Sequence, residues 1–117
     1  MEKQTQTLHY DNDGKPVEII VQRADVRSGV KRFMMMNEAD KVNKQEGSDP
    51  LDAPIRLFTF PSVVCATISV KGLPWPMAFE DFMLLDEDLV NQWVEIAHAV
   101  NPHWRGKEPE EEVKKKK

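Results

Sequence analysis

The spacing of hydrophobic and polar positions changes along the chain, and its first part is typical of strands. Thr5–Tyr10 alternates in character, and Val17–Val21 is rich in β-branched residues, so both runs favour extended structure. Between them lies Asp13-Gly14, a pair that tolerates the positive φ angles of a tight hairpin turn. This pattern predicts a β-hairpin over residues 5–22.

A helical spacing follows, and it predicts one long helix over residues 24–45. Val26, Val30 and Phe33 recur near one face, and Asp25 can accept hydrogen bonds from the free amides of a first turn. The run Met34-Met35-Met36 cannot share that face, because successive helical side chains point about 100° apart. We expect two of these methionines in the core and Met35 nearer the surface, where a flexible thioether suits a partner-binding face.

Residues 55–70 fit two interpretations. Ile55–Phe60 could form a strand, or the first turns of a helix that bends at Phe60-Pro61. The short apolar run Val63–Ile68 cannot be assigned from its spacing. We favour two short helices here and keep a β-strand as the alternative.

The last part of the pattern predicts two more helices. Ala78–Leu85 forms a short one, and Asp86 is the N-cap of a longer helix that Pro102 ends. Trp93 lies on the apolar stripe of that longer helix, so a place in the core is its favoured position. The pattern as a whole predicts an α+β fold, mostly α, with the N-terminal β-hairpin followed by a small bundle of about four helices.

Composition and charge narrow the class of protein. The 117 residues are 40% hydrophobic and 31% charged, which predicts a single globular domain over 1–105, with an aromatic-rich helical half over 55–104. Residues 106–117 are almost devoid of apolar side chains and predict a charged flexible tail. A net charge of −4 argues against a nucleic-acid partner. No apolar run approaches the roughly 18 residues of a membrane span, and no signal peptide is recognisable, so we expect a cytoplasmic protein without a membrane partner.

The sequence offers no recognisable set of catalytic or metal-binding residues. Asp11-Asn12-Asp13-Gly14 resembles the start of a calcium loop, but Gln22 stands where the final bidentate carboxylate is needed. The three histidines and the single cysteine, Cys65, lack the spacing of a zinc site. No phosphate-binding glycine loop or nucleophile motif is present. We therefore expect no enzyme activity, no cofactor and no metal.

Aromatic residues and prolines are concentrated towards the C-terminal part of the chain, where all three tryptophans lie. The order of motifs is Gly72-Leu73-Pro74-Trp75-Pro76, Phe79-Glu80-Asp81-Phe82, Leu89-Val90-Asn91-Gln92-Trp93 and Asn101-Pro102-His103-Trp104. Over Arg56–Trp104 this order resembles the small tail assembly chaperones of long-tailed phages and prophages.

That resemblance implies a mostly helical protein of the bacterial host cytoplasm. It would bind the tape measure protein, or another tail protein, and keep it soluble until tail tube subunits polymerise around it. The resemblance is compatible with both a monomer and a homo-oligomer. Many proteins of this group are made in two lengths through a programmed frameshift; the A-rich codons implied by Lys114–Lys117 fit such a site, and a solubilising charged terminus is the alternative.

Adaptable apolar side chains are the candidates for partner binding. They are Met34, Met35, Phe58, Trp75, Trp93 and Trp104. The alternative function is a structural virion protein or head-tail joining protein that stays in the finished particle.

Overall fold

The computed structural model describes residues 4–104. Its first two strands, β1 (Thr5–Asn12) and β2 (Lys15–Gln22), pair antiparallel as the predicted hairpin. Asp13 and Gly14 have φ angles of 57° and 86°. The Gly14 amide donates to the Asp11 carboxylate at 2.9 Å, which closes the turn. The hairpin prediction is confirmed.

The predicted long helix is also confirmed, as α1 (Val26–Asn43). The Asp25 carboxylate caps it by accepting a hydrogen bond from the Ser28 amide at 2.8 Å. The prediction for its methionines is wrong, because Met34 is the exposed one and Met35 and Met36 are half-buried. The face that α1 turns inward is not the one on which Val26 and Val30 recur.

The ambiguous region contains both kinds of structure. A π-helical turn (Ile55–Thr59) leads into α2 (Phe60–Ala66), as the helical interpretation predicted. The chain then extends into β3 (Thr67–Lys71), where the favoured helix is wrong and the alternative strand is correct. β3 pairs antiparallel with β2 and completes a three-stranded sheet in the order β1-β2-β3.

The remaining helices follow the predicted order. They are α3 (Phe79–Phe82) and α4 (Glu87–Val100), and a 3₁₀ turn (Pro102–Trp104) follows α4. The Asp86 carboxylate caps α4 by accepting from the Asp88 amide at 3.0 Å. Residues 4–104 thus have the predicted fold class, α+β and mostly α, with the sheet enlarged by β3.

The core lies between the sheet and α4. Helix α4 contributes four buried side chains and the sheet another four: Leu89, Trp93, Ala97 and Val100 from the helix, and Leu8, Val17, Ile19 and Val21 from the strands. Trp93 is fully buried, as predicted, and its indole N–H donates to the Thr67 hydroxyl at 2.9 Å. The predicted charged tail, 106–117, with the Lys114–Lys117 run, lies outside the described residues.

Candidate protein-binding surface

Polar side chains supply part of the attachment of helix α1 to the rest of the molecule. The Arg32 Nε donates to the Ser62 hydroxyl at 2.9 Å, and the guanidinium carbon lies 4.7 Å from the centre of the Trp104 ring. At the last residue of α1, the Asn43 side chain donates to the Ala53 carbonyl at 3.0 Å. Between these two residues only small Ala39 is fully buried. Hydrogen bonds and a cation–π contact therefore add to the apolar packing that docks α1.

The more apolar face of α1 is turned to solvent. Val26, Val30, Phe33 and Met34 are 84%, 53%, 61% and 62% exposed. Their spacing of i, i+4, i+7 and i+8 places them along one side of the helix, and we call these four residues the α1 stripe. A contiguous exposed apolar patch with polar borders is typical of a protein-interaction surface.

A separate apolar groove runs along the other side of the second half of α1. It has a volume of about 310 Å³. Its apolar lining comes from α1 and from the facing α2 and α3 segments: Met35, Ala39, Val42, Phe60, Pro61 and Phe79. The Arg56 guanidinium carbon lies 4.6 Å from the Phe79 ring centre, and its Nη1 donates to Asn43 Oδ1 at 2.8 Å, which fixes one wall.

The two methionines predicted to bind a partner occupy different surfaces. Met34 belongs to the α1 stripe, whereas Met35 lines the groove with its sulfur 3.7 Å from the Cys65 sulfur. Burial raises the pKa of the Cys65 thiol, so the neutral thiol is favoured beside this thioether. Phe58 is 51% exposed, in the π-helical turn.

The three tryptophans are buried to different degrees. Trp93 is buried completely and has no surface to offer a partner, so its place among the binding candidates is corrected. Trp75 is half-buried, with its ring centre 5.5 Å from that of Trp93. Trp104 is half-buried beneath the Arg32 guanidinium. The six candidate residues therefore do not form one surface.

Three residues of the α1 stripe, Val26, Val30 and Phe33, were not among the predicted binding residues. Their helical spacing was visible in the sequence, but the same spacing is also the pattern of an inward face. The signal that could have separated the two was on the other side of the helix, where Arg32 and Asn43 carry hydrogen-bonding groups suited to fixed partners.

Within residues 4–104, no group of three or more histidine, cysteine, aspartate or glutamate side chains is placed to hold a metal ion. None of the helices in this part of the chain is long and apolar enough to cross a membrane. No protein-family model, curated protein or solved structure matches this chain.

Proposed function

We propose that this protein is a non-enzymatic tail assembly chaperone of a long-tailed phage or prophage. It binds the tape measure protein during tail assembly and keeps it soluble. The observation that carries the proposal is the exposed α1 stripe. The resemblance of Gly72–Pro76 and the motifs after it to such chaperones supplies the class of client.

The stripe suits an apolar helical client. A helix laid along α1 could pack its side chains between Val30, Phe33 and Met34 in the manner of two helices in a bundle. A few hundred Å² of apolar area removed from water would contribute several kcal/mol, at about 25 cal/mol per Å². Association costs offset much of this gain, so we expect reversible binding. Reversibility is what a chaperone needs, since its client must later be released to the tail tube.

The stripe is presented without a need for rearrangement. The Ala24 amide, just before α1, donates to the side-chain oxygen of Asn101 at 2.8 Å, and Asn101 is completely buried. Arg32 holds the middle of the helix through Ser62 and Trp104. A pre-organised surface loses little conformational entropy on binding, which favours affinity.

Co-expression of the tape measure protein with stripe variants tests this proposal. We expect wild-type protein to keep the client in the soluble fraction and the double variant Phe33→Glu/Met34→Glu to lose most of that effect. Both side chains are exposed, so the variant should keep its helix content and melting temperature. Leu84→Glu is the matched control, because Leu84 is 84% exposed and lies outside α1.

Calorimetry and particle analysis complete the test. Binding of an apolar helical fragment of the client should show a negative heat-capacity change, the mark of apolar burial. Equal aggregation of the client with and without the protein would refute chaperone function. Stoichiometric retention in purified particles would identify a structural or head-tail joining protein instead.

A further inference from the structure

Positive charge follows one border of the α1 stripe. Arg27 and Lys31 are both exposed and stand one helical turn apart. At about 100° per residue they lie beside Val30 and Met34. Within residues 4–104 neither cation has an ion-pair partner. The opposite border, beside Phe33, carries Gly29, with the cap residue Asp25 one turn before it, and no cation at this level, so the stripe is basic on one side only.

The charged side chains in the second half of α1 are matched by neighbours along the chain. Lys41 Nζ lies 3.3 Å from Glu38 Oε1, and Lys44 Nζ lies 2.9 Å from Asp40 Oδ2. These pairs leave the second half of α1 close to electrical neutrality. The exposed cations of α1 without a counter-charge within residues 4–104 are therefore Arg27 and Lys31, which lie beside the apolar stripe where a bound partner would meet them.

A second copy of this chain would not neutralise that charge. An antiparallel pairing of two α1 stripes about a two-fold axis places the two basic borders side by side. A parallel pairing places each basic border against the border that carries Gly29. The carboxylates nearest the stripe, Asp25 and Glu38, already accept from the Ser28 amide and the Lys41 ammonium, and like charges in proximity are unfavourable.

We propose that the α1 stripe binds an amphipathic helix that has aspartate or glutamate along one border of its apolar face. The proposal rests on the chaperone function above and specifies the chemistry of the client segment. The stripe from Val26 to Met34 spans roughly 12 Å at about 1.5 Å per residue, so two to three turns of the client helix fit it. Apolar contact holds that segment, and the carboxylates at Arg27 and Lys31 select which segments bind and in which direction.

Two synthetic helical peptides of about 15–20 residues test this selection with the full-length protein. Both carry the same leucine face; one has glutamate along one border and the other has lysine at the same positions. We expect wild-type protein to bind the acidic peptide about tenfold more tightly at low salt. This preference should shrink as salt is added, because exposed ion pairs are screened.

Charge reversal on the protein supplies the reciprocal measurement. Arg27→Glu/Lys31→Glu should reverse the preference and favour the lysine peptide. Lys15→Glu/Lys71→Glu is the matched control, since it changes net charge equally at the hairpin turn and on β3, and it should leave the acidic peptide preferred. Circular dichroism of each variant establishes that α1 is still formed.

The remaining outcomes assign the surface differently. Equal binding of both peptides to wild type overturns this inference and leaves the chaperone proposal standing. Failure of both peptides to bind, together with client rescue that Phe33→Glu/Met34→Glu does not impair, overturns both. If the wild-type protein is a dimer and Phe33→Glu/Met34→Glu is a monomer, a second copy of the chain occupies the stripe. If Glu110→Gln/Glu111→Gln/Glu112→Gln makes both peptides bind more tightly, the chain's own acidic segment occupies the stripe. Occupation by a second copy or by this segment would overturn the proposal.

Discussion

Trp93 shows how much of this small core depends on one side chain. Its ring is buried between Phe82 and Trp75, with ring-centre separations of 5.9 Å and 5.5 Å. It also donates the hydrogen bond to Thr67 that links α4 to the start of β3. Aromatic contacts of this kind add to the gain from burial alone. Trp93 therefore connects three parts of the chain that are distant in sequence.

We expect Trp93→Ala to lower the free energy of unfolding by about 3–5 kcal/mol, the range for deleting a large buried aromatic side chain. For a domain of this size that is a large share of the total stability. Urea unfolding followed by circular dichroism measures the change. Trp93→Phe, which keeps a ring, should cost less. A melting temperature of Trp93→Ala within a few degrees of wild type would contradict the central role given to this residue.

The pKa of Tyr10 can be checked by an absorbance titration. Its hydroxyl donates to the Asp86 carboxylate at 2.9 Å, and this bond, with the charges of Asp86 and Asp88 nearby, raises its pKa to about 12. Tyr10 is the only tyrosine of the chain, so phenolate absorbance reports on it alone. We expect a titration midpoint near pH 12 in the folded protein, and a lower midpoint in Asp86→Asn, which keeps a side-chain oxygen to cap α4.

The same raised pKa makes stability depend on pH in the alkaline range. The unfolded tyrosine ionises near pH 10. The contribution of the Tyr10–Asp86 bond is therefore complete below pH 10 and is lost as pH rises through about 12. Tyr10→Phe should flatten this part of the stability profile. A wild-type midpoint near pH 10 would contradict the bond.

At the scale of elements, Gly72 decides how β3 ends. Its φ angle of 93° is one that side-chain-bearing residues rarely adopt, and an added Cβ would overlap the carbonyl oxygen of Pro16. Gly14 has a similar φ angle of 86° but open space around it. A side chain at Gly14 would therefore introduce backbone strain alone, whereas a side chain at Gly72 would add a steric clash to that strain.

We expect Gly72→Ala to destabilise the protein more than Gly14→Ala does. Gly14→Ala should cost about 1–2 kcal/mol, the penalty for a left-handed backbone. Gly72→Ala adds a clash with the β2 backbone and should exceed this by at least about 1 kcal/mol. Thermal unfolding of the two variants in the same buffer compares them. Equal losses would show that the chain can shift away from Pro16 at little cost.

Elements that depend on neighbouring residues were predictable, and those that depend on distant ones were not. Asp13-Gly14, Asp25 and Asp86 specify a turn and two caps through their own side chains and backbone preferences, so the hairpin, α1 and α4 were predicted from sequence. β3 was not favoured, because Thr67–Lys71 is a strand through its pairing with β2. Spacing along the chain does not reveal such a partner.

The candidate surface was only partly predictable, for a related reason. Met34, one of the predicted binding residues, is exposed, but the equally exposed Val26 and Phe33 were not among those predictions. A helix with apolar residues on more than one side leaves open which side is covered. Here the choice follows from tertiary partners of α1, such as Ser62 for Arg32 and Ala53 for Asn43.

At the scale of the whole molecule, α1 lies apart from the sheet–α4 core. Its main contacts are with α2 and the π-helical turn, whereas α4 packs on β1 and β2. Residues of α1 are correspondingly absent from the main core cluster. The outer side of α1 is therefore exposed, and substitutions there can alter binding without disturbing the core on which stability depends.

Asn101 also determines when the fold can be completed during synthesis. Its side chain accepts from the Ala24 amide and donates to the Gln22 carbonyl, across 77 and 79 residues of sequence. Ribosomes make the hairpin first, but its apolar face has no helix to cover it until α4 exists. A nascent chain must therefore carry an unburied Val17–Val21 face until residues 87–100 have been made. This polypeptide, proposed to protect another from aggregation, is itself exposed to aggregation while it is being made.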